Sequence, residues 1–71
     1  MKSRMTKNIL IDRILTFNLM AINNGDYELT LVKNSNPKIP YGLKMITEEG
    51  LKQKYNGSCL ECVDYLNGLI Q

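Results

Sequence analysis

The first third of the chain places apolar residues at the spacing of an α-helix. On a wheel of 3.6 residues per turn they share one broad face, which the pattern predicts as the core side. Thr6 or Asn8 can cap the start of this helix, and Asn24-Gly25 can end it. The residues of the predicted core face are Leu10, Ile11, Ile14, Leu15, Phe17, Ala21 and Ile22.

Two groups of residues depart from this helical pattern. Asn18 falls within the apolar face, where it can bond a neighbouring backbone group, which we favour, or fix the register of an interface. Ile9 and Met20 fall beside Arg13 on the opposite side of the helix. We take Ile9, Arg13 and Met20 as candidates for contact with a protein partner. Isolated exposed apolar side chains are common, so a surface without a partner stays open as the alternative.

The middle of the chain changes to a period of two. Apolar and polar residues alternate over 27–32 and again over 41–46, which predicts two β-strands. The segment 34–40 between them holds two prolines and three Asn or Ser residues, so it predicts a long loop that joins the strands as an antiparallel hairpin. The side chains expected to face the first helix are Tyr27, Leu29, Leu31, Tyr41, Leu43 and Met45.

The segment 47–57 carries the signals of a short helix. Thr47 is placed as an N-cap before two glutamates, two lysines follow, and Asn56-Gly57 is a typical stop. Ile46 and Leu51 are spaced to form a hydrophobic staple across the start of this helix.

A capping box formed by Ser58 and Glu61 predicts a last helix that runs to about Ile70. The predicted fold is therefore a small α+β domain over residues 1–71, in the order α-β-β-α-α, with the hairpin packed on the helices. Residues 1–5 are expected to form a disordered basic N-terminus.

Composition and charge exclude several classes of protein. The 71 residues are 44% hydrophobic and 23% charged, which indicates one small folded domain, near the size at which a second subunit helps stability. Asp12 and Arg13 interrupt the N-terminal apolar run, so a secretory signal is not predicted. No apolar run reaches the roughly 18–20 residues of a membrane span. We expect a cytoplasmic protein whose two cysteines are reduced.

The spacing of Cys59 and Cys62 raises the question of a metal or redox site. A structural zinc site needs four ligands, and this chain has no histidine, so such a site would have to be shared between two chains. The capping box puts Cys59 at a helix start, as a redox pair requires, but no strand leads directly into that helix. Both cysteines lie on the apolar side of the predicted helix, so we favour burial in the core. A dimer-bridging metal and a reactive thiol stay open.

Catalysis is not expected, because the chain lacks histidine and any Gly-rich phosphate loop. We expect no cofactor, no small-molecule substrate and no membrane partner. The leading hypothesis is a small binding, adaptor or regulatory protein that acts through a protein–protein surface, as a homodimer or with another protein. An isolated hairpin leaves two unpaired edges, and a second copy can complete the sheet. The richness in Asn, Lys and Ile is typical of AT-rich coding sequences, which favours a phage or mobile-element origin.

The alternative function is nucleic-acid binding. Cations in the N-terminal segment and around the hairpin would create a phosphate-binding field although the net charge is only +2. Tyr27 or Tyr41 would stack on bases. No recognition helix or RNP-like motif is visible. The candidate cations are Lys2, Arg4, Lys7, Arg13, Lys33, Lys38 and Lys44.

Overall fold

The chain forms one helix, three strands and a second helix, in the order α-β-β-β-α. The computed structural model describes the backbone of residues 2–70 and the side chains of residues 7–70. The predicted α+β class is confirmed. The elements are α1 (Lys2–Asn24), β1 (Leu29–Lys33), β2 (Tyr41–Thr47), β3 (Gly50–Gly57) and α2 (Cys59–Ile70).

Helix α1 begins earlier than the sequence indicates. It runs from Lys2, ahead of the start predicted at Thr6 or Asn8, and ends before Gly25, which has a φ of +75°. Met1 and the side chains of residues 2–6 lie outside the described part of the chain, so the disorder expected for residues 1–5 stays a prediction. Among the described residues, no helix is both long and apolar enough to cross a bilayer.

The strands form one antiparallel sheet in the order β1-β2-β3. β1 and β2 are joined by the long loop over 34–40, as predicted, with Leu29 opposite Met45 and Leu31 opposite Leu43. Leu29 and Leu43 pack in the core with residues of both helices, so α1 and α2 lie on the same face of the sheet. Residues 2–70 thus form two layers and leave the other face of the sheet free of helices.

The short helix predicted over 47–57 is wrong, because Gly50–Gly57 form strand β3. Thr47 Oγ1 accepts a hydrogen bond from the Glu49 N–H (3.3 Å) and donates one to the Gly50 carbonyl (2.7 Å). The side chain expected to cap a helix therefore closes the turn between β2 and β3. The same local bond can start a helix or a turn. Gly50 allows the turn because its φ of +120° is one that other residues rarely adopt.

Ile46 and Leu51 are neighbours, as predicted, but as a cross-strand pair. The two residues lie directly opposite each other on β2 and β3 instead of across a helix turn. A third strand also supplies what a two-stranded hairpin lacks, since an isolated pair of strands is marginally stable.

Helix α2 is held by its predicted cap and by its apolar side. The Glu61 N–H donates to Ser58 Oγ (3.2 Å), and the Ser58 N–H donates to Glu61 Oε1 (2.8 Å), which confirms the capping box. Tyr65 stacks on Tyr55 of β3, with ring centroids 4.5 Å apart. The buried core formed between the layers consists of Leu10, Ile14, Leu29, Leu43, Cys62, Val63 and Leu66.

Carboxamides occupy one end of the helix-free face. Asn56 Oδ1 accepts hydrogen bonds from Asn34 Nδ2 and Gln53 Nε2, both at 2.9 Å. A Cβ atom at Gly42 would lie 2.6 Å from Asn56 Oδ1, so glycine there leaves room for this cluster. These amides bond one another, which ties the 34–40 loop to β3.

Candidate protein-binding site on helix α1 and strand β1

Helix α1 is apolar over a wider arc than the core of this chain covers. Leu10, Ile14 and Ala21 are buried. The prediction that Ile11, Leu15 and Ile22 also face the core is wrong, because their flank of the helix projects into solvent. We call this flank the α1 stripe. Its members recur at intervals of three or four residues and are 42–65% exposed: Ile11, Leu15, Leu19 and Ile22.

The position of α1 explains why this flank is uncovered. Within residues 2–70, the backbone of α1 approaches β1 and α2 but neither β2 nor β3, whereas α2 approaches β2 and β3. α1 therefore lies at the margin of the helical layer, above the edge strand of the sheet. The far side of a marginal helix therefore has no neighbour among the described residues.

Asn18 connects α1 to the outer edge of β1. Its Nδ2 donates to the Leu29 carbonyl (3.0 Å), and its Oδ1 accepts from the Leu29 N–H (2.8 Å). This confirms the expectation that Asn18 bonds a neighbouring backbone group. The Ile46 N–H donates to the Glu28 carbonyl, so Glu28 is bonded to β2. Backbone hydrogen bonds alternate along an antiparallel pair, so the even-numbered residues of β1 bond β2. The odd-numbered residues of β1 turn their N–H and C=O groups away from β2. Asn18 thus takes the place that another strand would occupy opposite Leu29.

The rest of the β1 edge is open. By the same alternation, Leu31 and Lys33 turn their N–H and C=O groups outward, and no hydrogen-bond partner for them occurs within the described residues. Unpaired groups of this kind are a template for a further strand. The edge and the α1 stripe lie on the same side of the molecule, because Asn18, next to the stripe on the helix wheel, reaches this edge.

The opposite edge of the sheet is protected. The register of β3 with β2 shifts between Leu43 and Lys44, which marks a β-bulge. β3 also carries Lys52 and Lys54, both exposed. Bulges and lysines are devices by which natural sheets avoid pairing with other chains. β1 pairs with β2 without a register shift, so it is the edge that can accept another strand.

The partner residues predicted from the sequence lie on a different flank of α1. Ile9 and Met20 are exposed, as expected, and Arg13 lies beside Met20 on the helix wheel. The Arg13 guanidinium binds the neighbouring Asp12 carboxylate. This set is smaller than the α1 stripe, which the sequence analysis assigned largely to the core. The signal that could have revealed the stripe is the width of the apolar arc, which from Phe17 to Leu19 spans more than half of the helix circumference.

No protein-family model, curated protein or solved structure matches this chain. Its function is therefore inferred from the geometry of its own residues.

The cations proposed for nucleic-acid binding are divided between the two sides of the molecule. Arg13 lies on α1, in the helical layer. Lys44 alternates with the core residue Leu43 on β2, so it lies on the opposite, helix-free face. Lys7 on α1, Lys33 on β1 and Lys38 in the 34–40 loop are also exposed. The side chains of Lys2 and Arg4 lie outside the described residues.

The two tyrosines proposed for base stacking are also separated. Tyr41 packs against the core. The expectation that Tyr27 faces the first helix is wrong, because Tyr27 precedes β1 and is exposed, with its hydroxyl donating to Glu48 Oε1 (3.2 Å). An acidic partner beside the exposed ring disfavours a nearby phosphate. The described residues therefore do not form one basic, aromatic surface.

The cysteines lie in and beside the core. Cys62 is fully buried, as predicted, and Cys59 is partly buried against the same cluster. Burial, with smaller contributions from Cys59 and Glu61, raises the pKa of the Cys62 thiol to about 11. Burial also raises the pKa of Cys59, although nearby Lys7 acts in the opposite direction. The expectation that no strand leads directly into α2 is wrong, because only Ser58 separates the end of β3 from the start of α2. The raised pKa values nevertheless disfavour the thiolate that both redox chemistry and metal binding need.

A metal site within one chain has no support from the arrangement of ligands. Across the part of the chain that the structure describes, no three or more Cys, His, Asp or Glu side chains are grouped to hold an ion. A dimer-bridging metal would need further ligands from a second chain.

Proposed function

We propose that this protein is a small cytoplasmic binding module that acts through the α1 stripe and the open edge of β1, without catalysis of its own. The observation that carries the proposal is the α1 stripe, four aliphatic side chains left in solvent on one helix flank. Fully burying such a side chain contributes about 1.5–3 kcal/mol. Because these are about half exposed, a partner that covers all four would gain roughly 4 kcal/mol.

The rim of the stripe indicates the chemistry of the partner. On the helix wheel the stripe is bordered on its solvent side by Asp12 and Asn23, and the Asp12 charge is already paired with Arg13. An apolar centre with a nearly neutral polar rim is typical of protein–protein interfaces. Binding should therefore depend little on salt, unlike binding to nucleic acid, which weakens steeply as salt rises.

A photo-crosslinking amino acid at position 19 tests the proposal in the producing cell. Leu60 on α2 provides a matched control, since Leu19 and Leu60 are both 65% exposed. We expect a discrete adduct from position 19 and none from position 60. The adduct mass identifies the bound chain, and binding is then measured with both proteins purified.

Purified components decide the outcome. Leu19→Glu should weaken binding at least about tenfold, while Leu60→Glu, the same chemical change at the same exposure, should leave the affinity unchanged. Equal adducts from both positions, or a Leu19→Glu variant that binds as well as the wild type, would show that the α1 stripe is not a binding surface.

A further inference from the structure

We infer that the partner on this surface is a second copy of the chain, with the two β1 strands paired antiparallel about a two-fold axis at Val32. The inference rests on the proposed function and names the occupant of that site. It follows from the hydrogen-bonding groups of the edge, the side chains that would meet, and the position of α1.

The outward polar groups of β1 select one register. Pairing Leu31 with Lys33 of the partner subunit, and Lys33 with Leu31 of the partner subunit, uses every outward N–H and C=O that Asn18 leaves free. These two residue pairs make two hydrogen bonds each. An axis at Leu31 would instead place Leu29 opposite Lys33 of the partner subunit, and Asn18 already occupies that position.

Side chains favour the same register. An axis at Lys33 would set two lysines directly opposite each other, which is destabilising. With the axis at Val32, each valine meets its own copy on the helix-free face, and each Lys33 lies opposite a leucine. Ser35 of the partner subunit then falls opposite Leu29, beyond the end of β1, so Asn18 does not obstruct a paired strand.

The same two-fold axis brings the α1 stripes together. Helices pack about 8–10 Å apart and strands about 4.8 Å apart, so a helix above an edge strand overhangs that edge. Joining two β1 edges therefore makes the two α1 helices neighbours in one layer, stripe against stripe. The assembly has a six-stranded sheet, three strands from each copy, with four helices on one face.

A second copy fits better than an unrelated protein for a geometric reason. The surface combines an open strand edge with an apolar helix flank in a fixed relative position. An unrelated partner would have to supply a strand edge and an apolar surface in the same relative position. The chain itself supplies both by symmetry. A domain of 71 residues is also of the size that gains most from association.

Sedimentation equilibrium and cysteine crosslinking test the inference. We expect the wild type to be a dimer, and both Lys33→Pro and Leu19→Glu to raise the dimer dissociation constant at least about tenfold while circular dichroism stays that of a folded protein. Among the backbone hydrogen-bonding groups, Lys33→Pro removes only an outward N–H, so the pairing of β1 with β2 is kept. Leu60→Glu is the matched control for Leu19→Glu.

Two single cysteine variants test the register. Val32→Cys should form an intermolecular disulfide with added oxidised glutathione, because residues opposite each other at the axis are about 4.5 Å apart at Cα. Thr30→Cys, two residues away on the same face of β1, should form no such disulfide. In the proposed register the two cysteines at position 30 are about four residues apart along the strand. Peptide masses distinguish these disulfides from any that involve Cys59 or Cys62.

The outcomes separate this inference from the proposed function. A monomeric wild type, or a dimer that crosslinks equally through Thr30→Cys and Val32→Cys, would overturn the inference. If a monomer still gives a position-19 adduct with another protein, the proposed function stands without self-association. A dimer unaffected by both Leu19→Glu and Lys33→Pro would contradict both.

Discussion

Replacing Asn18 by alanine removes both hydrogen bonds that hold α1 against the edge of β1. Leu29 is only 3% exposed, so its N–H and C=O lose their partners where water has little access. Each such loss costs about 1–3 kcal/mol, and alanine returns up to about 0.7 kcal/mol as the better helix former. We therefore expect the free energy of unfolding to fall by about 2–4 kcal/mol. A domain of this length has only about 4–10 kcal/mol in total.

Asn23→Ala is the matched control, because it removes the same side chain from an exposed position on the same helix. It should change the stability by no more than about 0.7 kcal/mol, and in the stabilising direction. Urea unfolding followed by circular dichroism measures both variants, at several protein concentrations because dimer dissociation contributes to stability. Hydrogen exchange should show a selective loss of protection at the Leu29 amide in Asn18→Ala. Equal stabilities of the two variants, or a Leu29 amide that exchanges rapidly in the wild type, would refute the reasoning.

Three further predictions concern the thiols, the start of α2 and the surface charge. Because burial raises the pKa of both thiols, native protein should react with a disulfide reagent far more slowly than unfolded protein, and Cys62 more slowly than Cys59. The unfolded chain releases the Cys62 proton first, so the stability of the wild type relative to Cys62→Ala should fall as pH rises from 9.0 to about 11; a flat difference would contradict this. A Cβ at Gly57 would lie 2.8 Å from Glu61 Oε1, so Gly57→Ala should disturb the capping box. The free energy of unfolding in urea should then fall by about 1 kcal/mol. Gly68→Ala is the control, because a Cβ there has no atom within 4 Å, and it should be neutral or stabilising. Since the described cations lie on both sides of the molecule, the protein should leave a heparin column at low salt, and strong salt-dependent retention would favour nucleic-acid binding instead.

The sequence predicts the elements whose local signals agree with their tertiary contacts. The capping box of Ser58 and Glu61 marks the start of α2, and alternation around Leu29 and Leu43 marks β1 and β2. In each case the side chains that favour the element locally are also those that reach the core. Local and long-range preferences then give the same answer.

Strand β3 could not be predicted because a bulge hides its alternation. Leu51 lies opposite Ile46 on the helix-free face, whereas Tyr55 lies opposite Leu43 on the core face. Residues four apart share a face in a regular strand, and only the register shift near Lys44 separates these two. In the sequence, Leu51 and Tyr55 have the spacing of a helix. The stacking of Tyr55 on Tyr65, a contact between distant segments, favours the strand.

The candidate site was only partly predictable for a related reason. A helix wheel shows which residues share a face, but it does not show how wide an arc the rest of the fold covers. That width depends on the position of α1 at the margin of its layer, which is set by the number of strands and the order in which they pair. Because a short helix was predicted in place of β3, the position of α1 at the margin of its layer was not predicted either. The exposed flank that carries Leu15 and Leu19 was therefore missed.

Asn18 limits how the open edge can be used. An unprotected edge strand normally risks uncontrolled pairing, and Asn18 leaves only Leu31 and Lys33 with free outward groups. In the proposed dimer those groups are consumed, both β1 strands become interior, and the sheet ends on two copies of β3. Each end then carries the bulge together with Lys52 and Lys54, which oppose further strands. Association through β1 therefore closes at two copies, whereas pairing through β3 would leave β1 open and allow growth.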